Sequence, residues 1–141
     1  MIKLLRWIGI LPAAIAGWYL ALFVALIFHG LLDSFCPPDE VTSGMCNASW
    51  YPFASRSVIC FGAALSAFLV VFFSSLVAPS HRGTVAWVSY LVGAVLALYM
   101  AVFASRYASH YLELFSAVAM GLFAVWAVHR FLLPGRVERG T

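Results

Sequence analysis

The sequence predicts an all-α integral membrane protein, with four transmembrane helices in a single membrane domain, residues 1–141. Hydrophobic residues make up 65% of the chain and charged residues only 9%, and the mean hydropathy is +1.00. These values lie far from the averages of soluble domains. The apolar residues are also gathered into runs long enough for a helix to cross a hydrocarbon core about 30 Å thick. The predicted spans are residues 7–32, 57–78, 84–105 and 112–130.

Two of these spans carry small residues at every fourth position. Small side chains let helices approach each other closely, which matters in lipid because burying apolar surface gives little driving force there. We therefore predict a bundle with close helix contacts along both stripes, and more small-residue faces than one four-helix bundle requires. The stripe residues are Gly17, Ala21 and Ala25 in the first span and Ser89, Gly93 and Ala97 in the third.

The basic residues predict the orientation, since short cytoplasmic segments of membrane proteins hold the excess of Lys and Arg. Of the eight Lys and Arg residues, all but Arg56 and Arg106 fall at the two termini or in the short connection between spans two and three. Both termini are therefore expected in the cytoplasm, and the chain is expected in the inner (plasma) membrane. The residues on the cytoplasmic side are Lys3, Arg6, Arg82, Arg130, Arg136 and Arg139.

A polar segment, residues 33–53, predicts an ordered loop on the outer side. Two adjacent prolines cannot continue a helix, and the Ser43-Gly44 pair permits a turn. Cys36 and Cys46 share this loop, where the medium is oxidising, so we expect a disulfide between them. The functional alternative is a thiol relay with Cys60 as a third thiol. It is disfavoured because the closely spaced cysteine pair that lowers a thiol pKa in such proteins does not occur.

Ionisable residues are predicted to cluster at the outer end of the bundle. His29 and Asp33 share a face of the first helix, and His110 and Glu113 share a face of the fourth. If those helices are neighbours, the four groups converge and could hold a divalent metal or pass protons. The simpler interpretation is a network of ion pairs, in which Arg56 and Arg106 balance the two carboxylates.

These features favour a non-enzymatic accessory or structural subunit, or an interaction partner, of a larger membrane assembly. The net charge of +3 does not indicate nucleic acid, because the basic residues are scattered singly between apolar runs. The expected partners are the lipid bilayer and a membrane protein or a second copy of the chain, with no cofactor. The alternative function is a small metal-binding or proton-coupled permease that uses His29, Asp33, His110 and Glu113, with a divalent metal as its ligand.

Overall fold

The computed structural model of this protein describes residues 7–104 and 111–132, and it contains four helices long and apolar enough to cross a membrane. Helix α1 is Ile10–Ser34, α2 is Tyr51–Val77, α3 is Arg82–Ala104 and α4 is Tyr111–Ala127, which continues as a π-helical turn, Val128–Leu132. The chain runs up and down, so α1 ends and α2 begins at one end of the bundle, called here the loop end. The opposite end, where α1 begins and α4 finishes, is called the termini end.

Helix α2 is the centre of the bundle, because it packs against each of the other three helices. Helix α1 rests on α2 alone, without extended contact with α3 or α4 among the described residues. Helix α3 packs against α2 and α4, and in its described part the buried side chains are Val85 and Ala86, both in its first turns. The other three helices therefore pack around α2.

Helix α1 packs on α2 through its small residues. Gly17 and Ala21 are buried. A Cβ atom added to Gly17 would lie 2.9 Å from the backbone oxygen of Leu69, and one added to Gly62 would lie 2.9 Å from Cβ of Ala25. These approaches are closer than a side chain tolerates, so glycine is needed on both helices.

A core cluster at the termini end joins α2, α3 and α4. Its hydroxyl groups are satisfied locally: fully buried Ser74 and Ser75 donate hydrogen bonds to the carbonyls of Val70 and Val71, at 2.6 and 2.7 Å. Such bonds let serine lie inside a helix without an unpaired polar atom. The buried residues of the cluster are Val71, Ala86, Ala124, Val125 and Val128.

The loop between α1 and α2 is ordered, as expected. After a 3₁₀ turn, Pro38–Glu40, strands β1 (Val41–Thr42) and β2 (Met45–Cys46) form a small antiparallel hairpin. Ser43 and Gly44 have φ of 54° and 79°, the left-handed pair that a two-residue type I′ turn requires. The predicted disulfide between Cys36 and Cys46 is confirmed, with 6.0 Å between their Cα atoms.

The helix bounds differ most from the prediction at the start of α2, which begins at Tyr51 rather than at Ser57. Pro52 lies in the first turn, where a helix leaves backbone N–H groups unpaired and where a fixed φ near −65° suits the helix. A proline that appeared to belong to the loop therefore starts the helix. The loop between α1 and α2 is correspondingly shorter, residues 35–50.

Candidate functional site

A hydrogen bond at the loop end joins α1 to α2. The Tyr51 hydroxyl donates to Oδ1 of Asp33, with 2.5 Å between the oxygen atoms. Asp33 lies in the last turn of α1, and Tyr51 is the first residue of α2. A hydrogen bond to a carboxylate is shorter and stronger than one between neutral groups. This contact therefore closes the base of the loop, next to the disulfide.

The predicted ion-pair network is not formed between Asp33 and Arg56. Among the described residues, the side-chain partner of Asp33 is Tyr51, and the side chain of Arg56 is exposed on α2. Arg106 lies outside the described residues. Tyr51 is not among the predicted site residues, because it lies 18 residues from Asp33 in the chain and no local pattern joins the two.

His29 lies one helical turn before Asp33 on α1 and is half-buried. Its Nδ1 atom is buried and, within residues 7–104 and 111–132, is the one buried side-chain nitrogen or oxygen without a hydrogen-bond partner. A buried polar atom left unpaired destabilises a fold. The described structure therefore leaves the hydrogen-bonding capacity of His29 Nδ1 unused.

Glu113 lies in the first turn of α4 and lines a small cavity of about 210 Å³ between α2, α3 and α4. The other lining residues are apolar, among them Ala63, Met100 and Leu114. One turn further along α4, the Ser116 hydroxyl lies 3.1 Å from the carbonyl oxygen of Cys60 and 2.8 Å from that of Glu113. Ser116 thus links α4 to α2 beside the cavity.

The structure does not assemble the predicted metal-ligand set from the residues that it describes. His29 and Asp33 are on α1 and Glu113 is on α4, and these two helices have no extended contact within the described ranges. In the same ranges, no group of three His, Cys, Asp or Glu side chains could hold a metal ion. His110, the fourth predicted ligand, lies outside the described residues.

A groove of about 900 Å³ runs between α1 and α3, with α2 and α4 forming its floor. Its polar side-chain groups are few: the hydroxyls of Ser66, Ser74, Ser89 and Tyr90 and the indole N–H groups of Trp7 and Trp18. The predicted small-residue stripe of α3 forms one wall, and a Cβ atom added to Gly93 would meet no atom within 4 Å. The α1 stripe is therefore covered by α2, whereas the α3 stripe departs from the expected close contact and faces open space.

Apolar side chains are exposed at the loop end, and we call Phe35, Met45 and Phe53 the loop platform. Phe35, Met45 and Phe53 are 75%, 69% and 79% exposed. The disulfide joins Cys36 and Cys46, which are the chain neighbours of Phe35 and Met45, so it restrains the backbone at both residues. Exposed apolar side chains on a braced, ordered loop are typical of a contact surface.

Cys60 has a free thiol, in the part of α2 that packs against α4 through Ser116. Its backbone carbonyl, rather than its sulfur, makes the interhelical contact.

Gly62 and Ser116 were not among the predicted packing residues. Neither belongs to a four-residue stripe, so each becomes visible only when the facing helix is known.

Comparison of the chain with protein-family models, with curated proteins and with solved structures finds no match. Its function is therefore inferred from its own residues.

Proposed function

We propose that the chain is a non-enzymatic accessory or structural subunit of a larger assembly in the inner (plasma) membrane, with both termini in the cytoplasm. The four long apolar helices support a multi-pass arrangement. The distribution of Lys and Arg supports the orientation, which places the loop end outside the cytoplasm. The loop platform is the single observation that carries the proposed interaction.

Helix lengths support a position of the loop platform beyond the lipid tails. Helices α1 and α2 have 25 and 27 residues, which correspond to about 38 and 40 Å at a rise of about 1.5 Å per residue. The hydrocarbon core is only about 30 Å thick. Since the loop and the first turn of α2 are at the ends of these two long helices, the excess length supports a position of Phe53 and Met45 outside the lipid tails.

Charge supports a partner of a particular kind. Asp39 and Glu40 are exposed in the same loop, and residues 35–50 contain no Lys or Arg. We expect the partner to present an apolar extramembrane surface flanked by basic side chains, because complementary charge fixes the register of an interface. The Tyr51–Asp33 hydrogen bond, the disulfide and the hairpin turn restrain the loop that carries the loop platform. This restraint reduces the conformational entropy lost on binding.

The proposal is tested by placing a charge in the loop platform. Met45→Glu should release the chain from its complex, whereas Ser49→Glu, which adds the same charge at an exposed position elsewhere in the loop, should not. Each protein is extracted from native membranes in mild detergent, and its mass is measured by analytical ultracentrifugation. The wild-type complex should have a mass above the 15.4 kDa of the chain alone. The additional mass should belong to another protein.

Two outcomes would contradict the proposal. One is a wild-type chain that sediments alone. The other is an equal effect of Met45→Glu and Ser49→Glu. If the measured mass is a whole multiple of the mass of the chain, the partner is a second copy of the chain and not a different protein.

A further inference from the structure

The groove between α1 and α3 extends to the beginning of α1, where Trp7 and Ile10 line it, and basic residues lie at the same end of the bundle. Arg82 begins α3 at the termini end, and Arg130 lies in the π-helical turn that closes α4. This turn contacts α3. The four carboxylates of the described residues all lie at the loop end, so they do not neutralise the termini end; they are Asp33, Asp39, Glu40 and Glu113.

Arg82 and the groove share a face of α3. Arg82 precedes Ser89, a groove residue, by about two helical turns, so the two side chains project from nearly the same side of the helix. The Nε–H group of Arg82 donates to the carbonyl oxygen of Ala78 at 3.4 Å. A guanidinium has five N–H donors, and its flat shape suits a phosphate, which accepts two of them at once.

The apolar walls alone would not select a ligand in a bilayer. A lipid chain that enters the groove leaves surroundings as apolar as the groove itself, so its burial provides little free energy. The charge at the mouth does discriminate, because a basic group near the membrane surface attracts anionic headgroups. The preference for one lipid over another should therefore depend on the headgroup. The amount of lipid bound should depend on the open space beside Gly93.

We propose that the groove binds an anionic phospholipid, with its acyl chains between α1 and α3 and its phosphate at Arg82. The volume of about 900 Å³ is at the upper end of the range for ligand sites, and such sites commonly lie between the helices of bundles. The inference requires the membrane placement of the chain. It does not require a protein partner at the loop platform, which lies at the other end of the bundle.

The experiment uses the full chain purified in a non-ionic detergent. It is titrated with phosphatidylglycerol or with phosphatidylcholine of the same acyl chains, and bound lipid is counted by native mass spectrometry. Wild type should retain phosphatidylglycerol in preference to phosphatidylcholine. Arg82→Gln should reduce this preference about fivefold, since one basic group near the surface contributes about that factor. Arg56→Gln, at the loop end, is the matched control and should leave the preference unchanged.

A second pair of variants tests occupancy of the groove. Gly93→Leu should reduce the bound phosphatidylglycerol at least tenfold by filling the space. Gly30→Leu is the control, since a Cβ atom there also meets nothing within 4 Å, but Gly30 does not line the groove. If thermal melting shows that Gly93→Leu is unfolded, Ala14→Leu on the α1 wall provides the same test.

Three results would overturn the proposal: equal retention of the two lipids by wild type, an equal effect of Arg82→Gln and Arg56→Gln, or full phosphatidylglycerol binding by a folded groove-filling variant. If Gly93→Leu keeps its lipid but changes the mass of the complex, the groove holds a protein helix instead.

Discussion

The contact between Gly17 and Leu69 predicts a large difference between two chemically identical substitutions. Ordinary contact begins at about 3.4 Å, and a Cβ atom at Gly17 would lie 2.9 Å from the Leu69 oxygen and 3.2 Å from Cδ2 of Phe73. In Gly17→Ala, α1 and α2 must therefore separate by roughly half an ångström, and overpacking of this kind typically costs about 1–3 kcal/mol. Gly93→Ala adds the same methyl group to open space and should raise the unfolding free energy by about 0.5–1 kcal/mol, through helix propensity alone.

Unfolding is measured by circular dichroism, by titrating SDS into non-ionic micelles that contain the purified chain. Gly93→Ala and Gly30→Ala carry the same gain in helix propensity as Gly17→Ala, so the difference among them isolates the packing of α1 on α2. A Gly17→Ala protein as stable as these controls would refute the close approach of the two helices.

Three further predictions concern the loop and the helix contacts. Replacing both Cys36 and Cys46 by serine should lower the unfolding free energy by roughly 2–3 kcal/mol, because the bridge restricts the unfolded loop; maleimide labelling of unfolded wild type should modify Cys60 alone before reduction and all the cysteines after it. Tyr51→Phe removes the hydroxyl bonded to Asp33 and should speed amide hydrogen exchange in residues 35–50, and unchanged exchange would mean that the loop does not depend on this bond. Ser116→Ala should cost about 0.6 kcal/mol in the SDS titration, the average for a hydrogen bond between membrane helices, and no loss at all would contradict the link to Cys60.

Much of the fold could be predicted because long apolar helices are specified locally. The length of each apolar run predicts a helix, and the Cys36 and Cys46 positions in a short loop predict a bridge without knowledge of the rest of the chain. The start of α2 was harder, since Pro52 is compatible with both a loop and the first turn of a helix.

The order of the helices could not be predicted in the same way. A stripe of small residues shows that a helix face can be approached, but not which helix approaches it. Gly17 therefore indicates packing without naming α2, and Gly93 has the same pattern although its face is open. The helix that packs against each face is determined by contacts between residues far apart in the chain, such as the close approach of Gly62 to Ala25.

The candidate site was predicted least well for a related reason. His29, Asp33 and Glu113 were grouped on the assumption that α1 and α4 are neighbours, whereas α1 packs on α2. The pairing of Asp33 with Tyr51 joins the last turn of α1 to the first residue of α2, whereas the sequence predicts that the second span begins only at residue 57.

Labelling of single cysteines in intact cells tests the proposed membrane arrangement most directly. Ser49 lies in the loop between α1 and α2, and Ser80 lies in the short connection between α2 and α3; both are exposed. In a Cys60→Ser background, a membrane-impermeant maleimide should modify Ser49→Cys in intact cells and should reach Ser80→Cys only after the membrane is permeabilised. Labelling of Ser80→Cys in intact cells, or of both positions alike, would contradict the four-span arrangement with cytoplasmic termini.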